Sequence, residues 1–149
     1  MPTAARVVAA LLNAFLAWLL AGLAMAVMPD YVVRGYLVPI SVVVGAACGW
    51  VILGRRSDYG RLGYPNGMGV GLSAIVATVL WVLAICASLR ALDYALAGRY
   101  SGPIMALYDV VPIGLDFAMY LANVPAIATL VVGGMLVGAA THWASTKWR

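Results

Sequence analysis

Four long apolar runs, and a fifth that is interrupted by polar residues, alternate along the chain with short charged segments. The charges do not follow the three-to-four residue spacing of a soluble amphipathic helix; they collect between the runs. Each run has roughly 20 residues, enough at 1.5 Å per residue to cross a ~30 Å hydrocarbon core. The pattern predicts spans over about 7–28, 37–54, 67–90 and 125–143. Met28-Pro29-Asp30 closes the first span. Pro39 is placed in the opening turn of the second, where its missing N–H is tolerated. Gly63-Tyr64-Pro65-Asn66-Gly67 reads as a turn in which Asn66 caps the third helix, as Thr3 caps the first. The third pattern has no breaker before Leu96, so its helix should project past the bilayer, with Arg90 and Asp93 facing each other on the wet end.

The segment 103–121 decides the topology. It is apolar, yet it carries Asp109, Pro112, Gly114 and Asp116 between the breakers Gly98–Pro103 and Asn123-Val124-Pro125. With four spans, Arg6, Arg55, Arg56, Arg61, Lys147 and Arg149 share one side, against Arg34, Arg90 and Arg99. With five spans the tail crosses and the division becomes four against five. Basic residues accumulate on the cytoplasmic side, so Arg55, Arg56 and Arg61 mark that side and favour four spans with both termini cytoplasmic. Two mid-membrane aspartates would also cost about 2.5–3.5 kcal/mol each. The expected fold is therefore all-α: a single transmembrane domain forming a four-helix bundle, with 103–121 as an added interfacial or re-entrant helix between spans three and four. A cleaved signal peptide ending near Ala24-Met25-Ala26 is the alternative for the first span; a run of about 22 residues exceeds the ~7–15 of such segments.

Composition agrees with this picture and excludes other classes. Of 149 residues 65% are hydrophobic and 9% charged, with mean hydropathy +1.01, outside the range of soluble domains. Eight arginines and one lysine against five aspartates, with no glutamate, leave a net charge of +4. These charges are too few and too close to the spans for a nucleic-acid surface, and they suit anionic lipid headgroups. The lipid bilayer is the expected partner, with a homo-oligomer or a membrane-complex partner left open. No nucleotide loop, catalytic triad or metal-ligand cluster stands out, so no catalytic residue, cofactor or metal is assigned and the chain is not read as an enzyme.

Gly45/Gly49 and Gly134/Gly138 are small-xxx-small pairs. With no hydrophobic drive between helices in lipid, such faces allow close backbone contact, either within the monomer or in a homodimer. Gly67, Gly69 and Gly71 should seat the start of the third helix. Asn13 is a buried amide with Ser73 as its expected partner at similar depth. Cys48, a further candidate functional residue, and Cys86 fall at depths roughly 15–20 Å apart by helix rise, beyond the ~7 Å of a disulfide, and each reads best as a packing residue. Asp109 and Asp116, with Tyr108 and Tyr120 nearby, are the candidates for a cation or proton path; the competing reading is the wet face of an amphipathic helix. Arg34, Arg90 and Arg99 would share the outer side, where they could attract an oxyanion. Trp50, Trp143 and Trp148 fit an inner aromatic belt, with His142 beside it, and Tyr31, Tyr36 and Tyr100 an outer one.

Cys48-Gly49-Trp50 with Gly54 beyond it, Met1–Arg6, Met28-Pro29, Arg99-Tyr100, Gly102-Pro103, Gly133-Gly134, Trp143 and Trp148-Arg149 follow one another in an order and spacing that resemble the TrgA-type tellurium-resistance membrane proteins of bacteria. The chain departs from the family pattern at Val51, Ser101, Met105 and His142, where the family carries charged residues. The resemblance implies a bacterial inner-membrane protein that supports tellurite tolerance, and it supplies no catalytic residue. A non-catalytic accessory role is the first expectation. A small transporter or channel component using Asp109 and Asp116 is the second, and a structural subunit of a larger membrane complex the third.

Overall fold

The computed structural model describes residues 4–28, 34–55 and 63–147, apart from the side chains of Ala4 and Arg34. Among them the fold is all-helical: α1 (Ala4–Val27), α2 (Arg34–Cys48) running into a π-helical turn (Gly49–Gly54), α3 (Tyr64–Leu96), α4 (Pro103–Leu121) and α5 (Val124–Lys147). All five helices, α2 taken with its π turn, are long and apolar enough to cross a membrane. The chain is a multi-pass membrane protein.

The helix starts differ from expectation in two places. α2 begins at Arg34, so Pro39 lies inside the helix instead of in its first turn. Its missing N–H leaves the Gly35 carbonyl without the usual bond. α3 begins at Tyr64 on extended Gly63, with Pro65 in the first turn; Asn66 is therefore a first-turn residue and not the cap. Pre-set proline φ makes that earlier start favourable. Thr3, Pro29, Asp30, Tyr31, Arg56, Arg61, Trp148 and Arg149 lie outside the described residues.

α1 and α2 run antiparallel, and at three glycines almost no side chain separates them. A Cβ on Gly45 would stand 2.7 Å from Ala17 Cβ, and one on Gly49 would stand 2.6 Å from the Ala9 carbonyl oxygen. A Cβ on Gly54 would meet Arg6 Cγ at 2.8 Å. In an α-helix residue 54 would be turned about 140° away from residue 49. The wider i→i+5 turn over Gly49–Gly54 rotates it back toward α1, which is how a third glycine reaches the same interface.

α4 and then α5 descend α3 from its C-terminus to its N-terminus. Gly114 approaches Ala87, with a Cβ there 3.6 Å from the alanine methyl. Phe117 shares a buried cluster with Val82 and Cys86. Leu121 lines a small cavity with Ile75, Thr78 and Val79. Gly134 then meets Leu72 and Ile75, and Gly138 meets Gly67 and Met68. His142 stands edge-on to Tyr64, centroids 4.8 Å apart. α4 and α5 thus point the same way, one after the other, against a helix of 33 residues. At 1.5 Å per residue α3 is about 50 Å long, more than one bilayer core.

Asn123 manages the break between α4 and α5. Its Oδ1 accepts from the Ala126 N–H and its Nδ2 donates to the Tyr120 carbonyl, both at 3.0 Å. That satisfies one orphaned group on each side of the interruption, which an apolar surrounding would otherwise penalise. α4 is peripheral: 6% of its most apolar window is buried, against 39% for α1, α2 with its π turn, and α3.

Candidate functional site

Two polar constellations stand out, one in the bundle interior and one where α3 meets α4. The interior one centres on Asn13, fully buried on α1. Its Nδ2 donates to the Gly45 carbonyl at 2.8 Å and to Thr78 Oγ1 at 3.0 Å. Thr78 in turn donates to the Ala74 carbonyl at 2.8 Å. The partner is therefore Thr78 and not Ser73, which is exposed and bonds back to the Val70 carbonyl. Those two residues are five apart, so α3 turns them to opposite sides; hydropathy cannot rank them. Among the described residues Asn13 Oδ1 has no partner. One amide thus ties three helices together, a role for polar groups in a setting without hydrophobic drive.

The second constellation occupies the C-terminal end of α3. The helix closes with Gly98 in the left-handed region at φ 72°. The Gly98 N–H donates to the Ala95 carbonyl at 3.0 Å and the Arg99 N–H to the Tyr94 carbonyl at 3.1 Å. This is a Schellman closure, which folds the residue after the glycine back over the last turn. As a result the Arg99 guanidinium lies 4.8 Å from the Tyr94 ring centroid, and Arg90, one turn earlier, lies 4.7 Å from it. Arg90 stacks on Tyr94 in place of the expected pairing with Asp93; among the described residues no ion pair joins them. Tyr100 then donates its hydroxyl to Asp109 Oδ2 at 2.6 Å, clasping the start of α4 to the end of α3. This bond, with lesser contributions from burial and the carboxylate charge, pushes the Tyr100 phenol up to about 12: ionising it would set a phenolate against a carboxylate.

The two candidate acids do not converge. Asp109 is half-buried against Tyr100, whereas Asp116 is exposed, about 10.5 Å further along the axis. Tyr108, adjacent in sequence, is itself largely exposed; the partner of Asp109 is Tyr100, which its place in the sequence assigns to an outer aromatic belt. Cys48 and Cys86 are buried, unpaired thiols. Cys48 sits where α2 passes into the π turn, beside an apolar groove of about 500 Å³ shared with Trp81 and Ile85. Cys86 packs with Val82 and Phe117. No group of three or more metal-ligating side chains occurs among the described residues.

The glycine pairs are used within the chain. Gly134 and Gly138 lock against Gly67 and Gly71 of α3, and Gly45 and Gly49 against α1. Gly69 stands apart, with open space where a Cβ would go. His142 is buried in the bundle, wedged between Tyr64 and Gly67. Arg55 is exposed just past the π turn.

No family model, curated protein or solved structure matches the chain.

Proposed function

We propose that this chain is a bacterial inner-membrane protein of the TrgA type, supporting tellurite tolerance by a non-catalytic route as an accessory or partner-binding protein. The observation that carries this reading is the ordered resemblance along the chain, from Met1–Arg6 through Cys48-Gly49-Trp50 and Gly102-Pro103 to Trp148-Arg149. The interior is consistent with it. Of its buried polar residues, Asn13 bonds across to two neighbouring helices, Ser41, Thr78 and Thr141 bond back to carbonyls of their own helices, and His142 packs against Tyr64. Two departures from the family pattern, Ser101 and Met105, touch each other, Oγ to Sδ 3.4 Å. Deleting the gene should lower growth across a tellurite series, and restoring it should recover growth. Equal growth of both strains rejects the reading.

The same proposal includes four crossings with both termini cytoplasmic. α4 and α5 share the last crossing, α4 entering from the outer side as an interfacial or re-entrant helix. The six-to-three division of basic residues supports it, as does the head-to-tail order of α4 and α5 along α3. In a chain lacking both native thiols, Ser101→Cys should react with an impermeant maleimide on intact cells and Thr146→Cys should not. Labelling of Thr146→Cys from outside overturns the topology.

A further inference from the structure

We propose that Arg90 and Arg99, stacked on Tyr94 at the end of α3, form a binding site for a phosphate-type anion at the membrane surface. The inference does not rest on the tellurite reading or on which side of the membrane this end faces.

The site is built by backbone geometry. Left-handed Gly98 reverses the chain, and the Arg99 N–H bond to the Tyr94 carbonyl fixes the reversal. Arg90 precedes Tyr94 by four residues and so shares its face of the helix. Both guanidinium carbons lie within 4.8 Å of one ring centroid. They are therefore at most about 9.5 Å apart, the sum of the two centroid distances. A guanidinium lying on a ring spends its flat face there and leaves its N–H edge free to donate, the geometry that recognises phosphate oxygens in pairs.

Among the described residues the two arginines are not held in ion pairs, although two carboxylates are close in sequence. Asp93 is exposed and Asp109 is engaged by the Tyr100 hydroxyl. Two cations held on one ring repel each other, and an anion bound at their N–H edges offsets that repulsion. The location supplies one. Arg90 follows directly on the apolar run 67–89, where hydrocarbon gives way to headgroups. A phosphodiester of an anionic lipid and free inorganic phosphate present the same oxygens there; both are the ligand chemistry proposed, and they differ only in source.

The test uses the full chain in nanodiscs of phosphatidylcholine, titrated with fluorescent phosphatidylglycerol, with and without inorganic phosphate as competitor. The wild-type protein should bind the labelled lipid at least 5-fold more tightly than Arg90→Gln/Arg99→Gln. Arg55→Gln, at the opposite end of the bundle, should match wild type. Tyr94→Leu keeps both charges but removes the platform, and should weaken binding by at least 3-fold. If phosphate competes in the wild type alone, the site also takes the free ion; if it does not compete while the double variant loses lipid, the source is the headgroup. Unchanged lipid affinity in the double variant overturns the site. So does a loss in the double variant with none in Tyr94→Leu, since that describes diffuse charge and not a built pair. Should the double variant not be monodisperse, the two single variants carry the same comparison.

Discussion

The two ends of α3 are held by opposite means. At its N-terminal end Gly67 and Gly71 face Gly134 and Gly138, backbone against backbone, with no charged group involved. At its C-terminal end Arg90, Tyr94, Arg99, Tyr100 and Asp109 make contacts through rings, a hydroxyl and a carboxylate. The first end sits among helices in an apolar setting, where tight packing is the available source of association. The second emerges where water and headgroups compete for every polar group, so individual contacts there contribute little to stability. The glycine end should therefore govern whether the protein folds, and the arginine end what it meets.

The largest effect expected is at Gly71. A Cβ there stands 2.6 Å from the Gly138 backbone, which has no flexible side chain to yield. Gly71→Ala should cost about 2–3 kcal/mol, the upper range for overpacking, read as a lowered Tm in mild detergent. Gly69→Ala, two residues away with nothing within 4 Å, should be neutral or stabilising by up to about 1 kcal/mol through helix propensity. Equal effects at the two positions would dissolve the contrast between packed and open glycines.

Next is Asn13→Ala, which removes both donated interhelical bonds. At roughly 0.6 kcal/mol each in membranes the loss is about 1 kcal/mol in the same melt. Thr78→Val should account for part of it and add little in the double variant, because the two side chains share one bond.

Gly98→Ala places a Cβ on left-handed backbone, at about 1 kcal/mol. Its more telling consequence is at Arg99: if the closure positions that guanidinium, lipid affinity should fall together with the Tm. An unchanged affinity would show that Arg99 reaches Tyr94 without the closure.

The smallest thermal effect belongs to Tyr100→Phe, with no resolvable change in Tm at neutral pH. The sign of its pH dependence is defined. The phenol titrates near 12 in the folded chain and near 10.0 ordinarily, so its bond to Asp109 contributes fully below pH 10 and is lost as pH rises through 12. Difference absorbance of wild type against Asp109→Asn should show one tyrosinate appearing earlier in the variant. Identical titrations would remove the clasp between α3 and α4.

The residues differ in how much of this they announce. Gly45/Gly49 and Gly134/Gly138 are visible as pairs, because a bare helix face is a property of spacing. Their partners are not. Whether such a face meets α1, α3 or a second copy depends on where other helices pass, and the choice falls inside the chain. Gly98 two residues beyond Leu96 is a readable helix stop, yet its use as the device that brings Arg99 onto Tyr94 needs the closed turn. Tyr100 and Asp109 are nine apart across a Gly-Pro break, with no periodicity to relate them. The π turn was equally hidden. Nothing in Gly-Trp-Val-Ile-Leu-Gly demands a wider turn until Gly54 has α1 to seat against.

Composition and the lengths of the apolar runs, by themselves, determine a multi-pass helical membrane protein and locate its helices. These are consequences of a solvent that admits only apolar surface with every backbone bond made. Tertiary structure decides the rest. It selects Thr78 over Ser73 for Asn13, turns the glycine faces inward, and lays α4 and α5 in succession along α3. It also gathers Arg90 and Arg99 on one ring. Each of these is a choice among local arrangements of nearly equal energy, and only the neighbouring helix distinguishes them.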